Sequence, residues 1–228
     1  MAVNPQFKVG ALRPSKAPNL PIAPVEYTQY YQDQVLNALR LYFNQVDNFS
    51  LPLTQVNGGS YLQFPFISAS DIGTQYATAS NTATIVQWNI LESGSGFALN
   101  ANYTATADVA GIYKITYSLQ FANDDNAVHD AIVWLRVNNV DVTNSTTIFT
   151  VPARKSAGVP SYVCGYSEVV FTLDAGDSVG LWWGTQQAAS SGGATGTYIY
   201  YRAAQTTPMA YPATPSAIGS ITFVSALS

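Results

Sequence analysis

The clearest pattern in the chain is a strict alternation over Gly111–Phe121. Tyr113, Ile115, Tyr117, Leu119 and Phe121 fall on one side, and Lys114, Thr116, Ser118 and Gln120 on the other. Period-two alternation of this length predicts a β-strand with one face in a core. Shorter segments of similar texture follow at Ala131–Val137, Val140–Thr143, Glu168–Leu173, Ser178–Trp183, Thr197–Arg202 and Ile218–Ser225, and one precedes at Ile85–Leu91. Asn138-Asn139 and Asp174-Ala-Gly-Asp177 supply hairpin-turn chemistry between them. Many strands at regular spacing with no helix among them predict a mainly β chain: an antiparallel sandwich or jelly roll over residues 61–228.

Residues 25–49 read differently. Val35, Leu39, Tyr42, Val46 and Phe49 recur at spacings of 4, 3, 4 and 3, and Leu36, Leu39, Phe43 and Val46 form a second row beside them. This predicts an amphipathic helix with Pro24 in its first turn. Its apolar stripe fits a helix touching two neighbours in a three-stranded bundle or a helix packed on its own domain; the low charge favours the bundle. Residues 50–60 (SLPLTQVNGGS) are turn-rich and predict a hinge.

Residues 1–24 hold Pro5, Pro14, Pro18, Pro21 and Pro24 together with Lys8, Arg13 and Lys16, and no acid precedes Glu26. Proline excludes helix and central strand here, leaving an extended basic arm. We expect it to dock on another protein, with Lys8, Arg13, Lys16, Pro18, Leu20 and Pro21 as its anchoring residues.

Composition narrows the function classes. The chain has 228 residues with 9 Lys+Arg and 13 Asp+Glu, so 10% are charged, against about 25% in an average soluble domain. Hydrophobic residues reach 47%, which excludes intrinsic disorder. A net charge of −4 supplies no footprint for nucleic acid. No run of 18 apolar residues predicts a membrane span, and Met1–Gly10 lacks the apolar segment of a secretory signal. Asn48, Asn102 and Asn144 head glycosylation triplets that we therefore expect to be unmodified. So few charges favour close self-association.

No catalytic constellation stands out. His129 is the sole histidine, and the aspartates near it, Asp124, Asp125 and Asp130, lie in a turn-like segment. That segment lacks the regular spacing of a calcium loop, and no metal site is expected. Cys164 is the single cysteine, which excludes an intrachain disulfide, and its apolar surroundings predict an inert buried thiol. Glu92 and Glu168 form no catalytic pair, and Ser190–Gly196 lacks the ending of a phosphate loop. No enzyme activity and no cofactor are expected. Trp88, Tyr103, Tyr162 and Tyr211 stand near strand ends or loops, where they would stack on glycans or pack between subunits.

Two resemblances add to this. Gly111-Ile-Tyr-Lys-Ile115, Trp134-Leu-Arg-Val-Asn138 and Leu173-Asp-Ala-Gly-Asp-Ser-Val-Gly-Leu181 resemble the C1q/TNF-like jelly roll, and Pro215–Phe223 resembles its final strand. Asn138-Asn139 departs from the Asn-Gly frequent there. Ala17–Tyr27 with Leu39-Arg-Leu-Tyr-Phe-Asn-Gln45 is similar to the N-terminal block of virion structural proteins of marine tailed phages. The first resemblance implies a homotrimer packed around a threefold axis through flat aromatic faces. On Ala131–Val137, Ile132 and Trp134 lie opposite the apolar row Ala131, Val133, Leu135 and Val137, and Tyr198 and Tyr200 alternate with Ile199 and Tyr201. Apolar residues on both faces fit either an obligate interface or a thicker core covered by loops. We expect Ile132, Trp134, Tyr198 and Tyr200 at a β-domain interface, and Val35, Leu36, Leu39, Tyr42, Phe43 and Val46 in a trimeric helix bundle.

The combined expectation is a structural homotrimer located in a tailed-phage virion. Residues 1–49 would hold it to another virion protein, and the jelly roll would project as a tail fibre or appendage with a role in host adsorption. A capsid decoration (cement or head-fibre) trimer is one alternative, and a trimeric lectin-like module binding host surface glycan is another.

Overall fold

The computed structural model describes residues 18–22, 25, 26, 28–54 and 64–227. The chain divides into two units, Met1–Gln63 and Phe64–Ser228, and each is described by itself.

In the first unit, helix α1 runs over Gln29–Thr54. It starts four residues later than expected because Thr28 caps it. The Tyr31 amide donates to Thr28 Oγ1 (3.3 Å), and the Gln32 amide donates to the Thr28 carbonyl (3.3 Å). That satisfies N–H groups that every helix start leaves open. Val25 and Glu26 lie in a bend before it. The helix also continues through residues 50–54, which we expected in a hinge. The rest of the expected hinge, 55–60, lies outside the described residues.

The second unit holds thirteen strands among the described residues. They are β1 (Phe66–Asp71), β2 (Thr84–Ile85), β3 (Ile90–Ser95), β4 (Phe97–Leu99), β5 (Ala105–Ala107), β6 (Gly111–Asn123) and β7 (His129–Val137). Then come β8 (Val140–Asp141), β9 (Thr147–Val151), β10 (Ser161–Leu173), β11 (Ser178–Thr185), β12 (Thr197–Ile199) and β13 (Ala217–Ser225). Two antiparallel sheets result. One has the order β10-β6-β13-β1-β3, with β12 also on β6; the other has β4-β5-β11-β7-β8, with β2 on β11 and β9 on β7. From β5 onward the chain passes between the sheets at β5→β6, β6→β7, β9→β10, β10→β11 and β11→β12. This is the winding of a jelly roll.

The alternation on β6 becomes the core. Tyr113, Ile115, Tyr117, Leu119 and Phe121 are buried, as are Ala131, Val133 and Leu135 of β7 and Val179, Leu181 and Trp183 of β11. The Phe121 ring meets Trp183 of the opposite sheet at 6.0 Å between centroids. Each such side chain contributes roughly 1.5–3 kcal/mol by leaving water.

The expected strand Ile85–Leu91 is not continuous. β2 belongs to the β11 sheet and β3 to the β1 sheet, so this stretch is a crossover between layers. Its alternation reflects a segment threaded through the core, with Val86 and Trp88 both buried. The expected Thr197–Arg202 strand stops at Ile199, and Glu168–Leu173 is the second half of a strand that begins at Ser161.

Candidate self-association surface

The β10-β6-β13-β1 sheet turns its odd-numbered residues inward on β6, β10 and β13. The even-numbered positions make the outward face. Cross-strand register aligns them in rows. Tyr166 stands beside Ser118, then Ile218, then Ser70; Val170 stands beside Lys114, then Thr222, then Phe66. Tyr166 and Val170 are each 60% exposed and Ile218 is 44% exposed. Lys114 Nζ pairs with Glu168 Oε2 at 3.5 Å, and Ser70 Oγ donates to Glu92 Oε1 (2.5 Å). The remaining polar groups of these rows are hydroxyls and amides.

At one end the face becomes aromatic. Ala122 has no bulk, and the strands on either side place Tyr162 and Tyr198 beside it. The rings form a chain: Tyr76 stacks on Tyr198 (5.6 Å), Tyr198 meets Tyr200 edge-on (5.9 Å), and Tyr200 leans on Tyr162 (5.3 Å). Lys155 Nζ lies 5.8 Å from the Tyr162 ring and the Arg202 guanidinium 5.4 Å from Tyr211. Gln120, Tyr162, Tyr200, Arg202, Tyr211 and Thr214 line a cavity of about 220 Å³ here. Burial first, and neighbouring Asp124 second, push the Tyr198 hydroxyl well above its usual range. Burial and then Tyr200 raise that of Tyr162. These phenols are neutral and keep their hydrogen-bonding capacity. Away from Lys155 and Arg202, such a face meets another protein with little cost of burying charge.

The four expected β-domain interface residues separate. Tyr200 is half-buried at the edge of this face, whereas Tyr198 is buried against Ala122 and Ala189 and supports it from within the chain. Ile132 and Trp134 lie on the outward face of the other sheet, across the sandwich. Trp134 has a local reason to be there: its Nε1 donates to Asp141 Oδ1 (2.7 Å), and Arg136 Nε donates to the same oxygen (2.6 Å). The Arg136 guanidinium lies over the Trp182 ring at 4.2 Å and 5.7 Å from Trp134. Arg136, and next Trp134, hold the Asp141 carboxyl below the usual carboxylate range. Tyr162, Tyr166, Val170 and Ile218 were not read as members of one face. Residues 161–170 (SYVCGYSEVV) carry no regular polar–apolar alternation that would have marked them.

Three further expectations change. Cys164 is exposed, not buried. It occupies an even position of β10, with its Sγ 3.2 Å from Ser118 Oγ. Trp88 is 3% exposed and no glycan platform, because its ring fills the space above Gly219. His129 is not in a turn but begins β7, and its Nε2 pairs with Asp125 Oδ2 at 2.7 Å. The His129 ring beside it holds the Asp125 carboxyl below its ordinary value.

Asp124 Oδ1 accepts the Gly196 amide (2.7 Å), and Asp130 Oδ1 accepts the Thr150 hydroxyl (2.8 Å). These aspartates tie loops together. Among the described residues no three His, Cys, Asp or Glu side chains are grouped to hold a metal ion.

In the first unit, Lys8, Arg13 and Lys16 lie outside the described residues. Pro18, Leu20 and Pro21 are described, and the Tyr31 hydroxyl of α1 donates to the Pro21 carbonyl (3.4 Å). On α1, Val35, Leu39, Tyr42 and Val46 are half-buried. Leu36 and Phe43 are exposed, and so is Leu41, which the periodicity did not single out. No described helix is long and apolar enough to cross a membrane.

No family model matches the chain, and no curated protein matches it. Among solved structures it is similar to murine APRIL, in a crystal structure at pH 5.0, at 14% identity and a TM-score of 0.43. That likeness covers 71% of this chain and 100% of the other. It is also similar to the globular domain of zebrafish complement 1qA, at 14% identity and a TM-score of 0.41, over 72% of this chain and 100% of the other.

Proposed function

We propose that the protein is a non-enzymatic structural subunit that assembles as a homotrimer, with the outward face of the β10-β6-β13-β1 sheet turned toward the threefold axis. The observation that carries this is the aromatic, sparsely charged face built from Tyr162, Tyr166, Tyr200, Val170 and Ile218, with the buried Tyr198 packed behind it. Tyrosine gives large contact area at low entropic cost and is enriched at protein interfaces. The single ion pair on the described strands of that face, Lys114–Glu168, is already satisfied within the chain.

Helix α1 would supply a second self-association surface. Its 26 residues span roughly 39 Å at 1.5 Å per residue. Val35, Leu36, Leu39, Tyr42, Phe43 and Val46 would meet two neighbouring helices. The arm around Lys8, Arg13, Lys16, Pro18, Leu20 and Pro21 would hold the trimer to another protein of a tailed-phage virion. The jelly roll would project as a tail fibre or appendage that contacts the host. The support for virion placement is the similarity of Ala17–Tyr27 and Leu39–Gln45 to virion proteins.

Two experiments test the proposal. Native mass spectrometry of the full chain should give three copies, and a monomer would overturn the assembly. Imaging of intact particles should show the trimer at low copy number on the tail. High copy number over the shell would make it a capsid decoration instead, and absence from particles would sink the virion role.

A further inference from the structure

The face of the sandwich opposite the tyrosines has a pit in it. On β11 the outward positions are Ser178, Gly180, Trp182 and Gly184. Two of them lack a side chain, and both are buried. Over Gly184 the chain has laid its own backbone: a Cβ there would stand 3.3 Å from the Thr82 carbonyl oxygen. At Gly180 the neighbours are side chains, with Ile85 Cδ1 3.4 Å from where a Cβ would be, and the residue lines a cavity of about 500 Å³, within the range of small-molecule sites, roughly 300–1,000 Å³. A glycine inside a strand often marks the close approach of a ligand or another backbone.

Register builds the walls. Arg136 stands opposite Gly180 on β7, and Trp182 pairs with Ile85 one row away. Thr104 closes the other flank, its Cγ2 3.2 Å from where a Gly180 Cβ would be.

Polar groups around the pit are held in place by one another. Thr104 Oγ1 accepts from Ser178 Oγ (2.8 Å) and Asn100 Nδ2 (3.0 Å) and donates to Asn102 Oδ1 (2.8 Å). Asn138 Nδ2 donates to Asp177 Oδ1 (2.7 Å), and its Oδ1 accepts the Ser178 amide (3.0 Å). Two donors in the lining are left over. Trp182 Nε1 lies 3.5 Å from the Gly180 Cβ position. It and the Asn139 side-chain amide have no hydrogen-bond partner among the described residues.

The charge of Arg136 is matched by Asp141, so the guanidinium offers a planar set of donors rather than a net charge. A lining of amides, hydroxyls and an indole N–H suits vicinal hydroxyl groups, each of which both donates and accepts. Ile85 adds an apolar flank for the C–H face of a ring.

We propose that this pit binds a neutral glycan, with a hexopyranose ring seated among Thr104, Asn139 and Trp182. The site is complete within one protomer and lies across the sandwich from the self-association face. It therefore does not depend on the oligomeric reading.

The test is a printed array of neutral glycans and their carboxylated counterparts, probed with the full chain. Calorimetry on the best neutral hit follows. We expect binding to neutral hexose-containing members, weaker binding to the carboxylated ones, and at least a tenfold loss of affinity in Gly180→Val, which fills the pit. Asn139→Gly suits the turn conformation of Asn139 (φ 65°) while removing its amide, and should cost several-fold with the near-UV circular dichroism unchanged. Should Gly180→Val fail to fold, Asn139→Gly and Trp182→Phe decide. Tyr166→Asp, designed to break self-association, should leave the calorimetric affinity per protomer unchanged. Absence of any neutral hit, preference for the carboxylated members, or full binding by the folded variants would each overturn the proposal.

Discussion

The ring of Trp88 occupies the place of a side chain on Gly219. A Cβ on that glycine would stand 2.5 Å from Trp88 Cζ2 and 2.9 Å from Cε2. Gly219 lies in the middle of β13 between the buried Ala217 and Ile221, so the indole closes the core over a strand that lacks bulk there. The crossover between β2 and β3 is fastened at this point.

Gly219→Ala should therefore destabilise the β unit by about 1–3 kcal/mol, the usual cost of overpacking, and Trp88→Ala by about 3–5 kcal/mol. In urea denaturation the double variant should cost less than the sum of the two, because the alanine methyl then enters vacated space. Strict additivity would mean that the two residues are not coupled.

Asp71 is a buried junction. Its Oδ2 accepts from the Gly73 amide (3.0 Å), Gln75 Nε2 (3.1 Å) and Ser216 Oγ (2.9 Å), and its Oδ1 accepts from Asn89 Nδ2. Asp71→Ala strands these donors and should cost at least about 3 kcal/mol, since hydrogen bonds to a charged group are each worth about 1.5–3 kcal/mol. Asp71→Asn should cost less, because an amide oxygen still accepts. Thermal midpoints of the two variants rank the effects.

Alkaline pH should unfold the domain through its tyrosines. Burial, and then Asp108, push the Tyr113 hydroxyl up to about 12, whereas in the unfolded chain it ionises near 10. The native state thus holds its proton more tightly. Its contribution is fully present below pH 10 and is lost between pH 10 and 12. Tyr117 is shifted the same way by burial. Absorbance of tyrosinate should rise in two stages, the second coinciding with loss of β-sheet circular dichroism. A single smooth titration before unfolding would contradict this.

Asp125 and Asp141 carry the opposite sign. Both carboxyls are held below their ordinary values, by His129 and by Arg136 respectively. Their stabilisation is present above the unfolded value near 4 and is lost as pH falls through the lower native ones. Asp125→Asn should lower stability at neutral pH, where this contribution is present, and change little at low pH, where it is already lost. Urea midpoints taken from about pH 2 to 7 should therefore show a flatter acid limb.

Cys164 reports on self-association. It is exposed in the single chain but lies on the tyrosine-bearing face, next to Ser118 and Gln120. In the trimer a bulky maleimide should react slowly. Tyr166→Asp should give monomers and raise that rate at least tenfold. Equal rates in both would place the interface elsewhere.

Local pattern already specifies much of this architecture. Alternation on β6 identified its buried row residue by residue, since a strand with one face in a core must repeat every two positions. Asn138 and Asn139 were legible as a turn, and both adopt positive φ. Less legible were β1 (FISASD) and β9 (TIFTV), whose short, small or hydroxylated segments become strands through the ladders around them. The Ile85–Leu91 alternation misled for a related reason: a segment crossing between layers also buries every second residue, at Val86 and Trp88.

The candidate sites divide along the same line. The sequence by itself determined that the chain is β-rich, sparsely charged and carries an amphipathic helix, because composition and period are local properties. The tertiary structure alone decided which strands share a sheet. That pairing put Tyr162, Tyr198 and Tyr200 together and moved Ile132 and Trp134 to the opposite face. It also set Gly180 between Arg136 and Thr104 in the lining of a cavity. A face is made by cross-strand register between residues far apart in the chain, and one strand's periodicity carries no information about its neighbours.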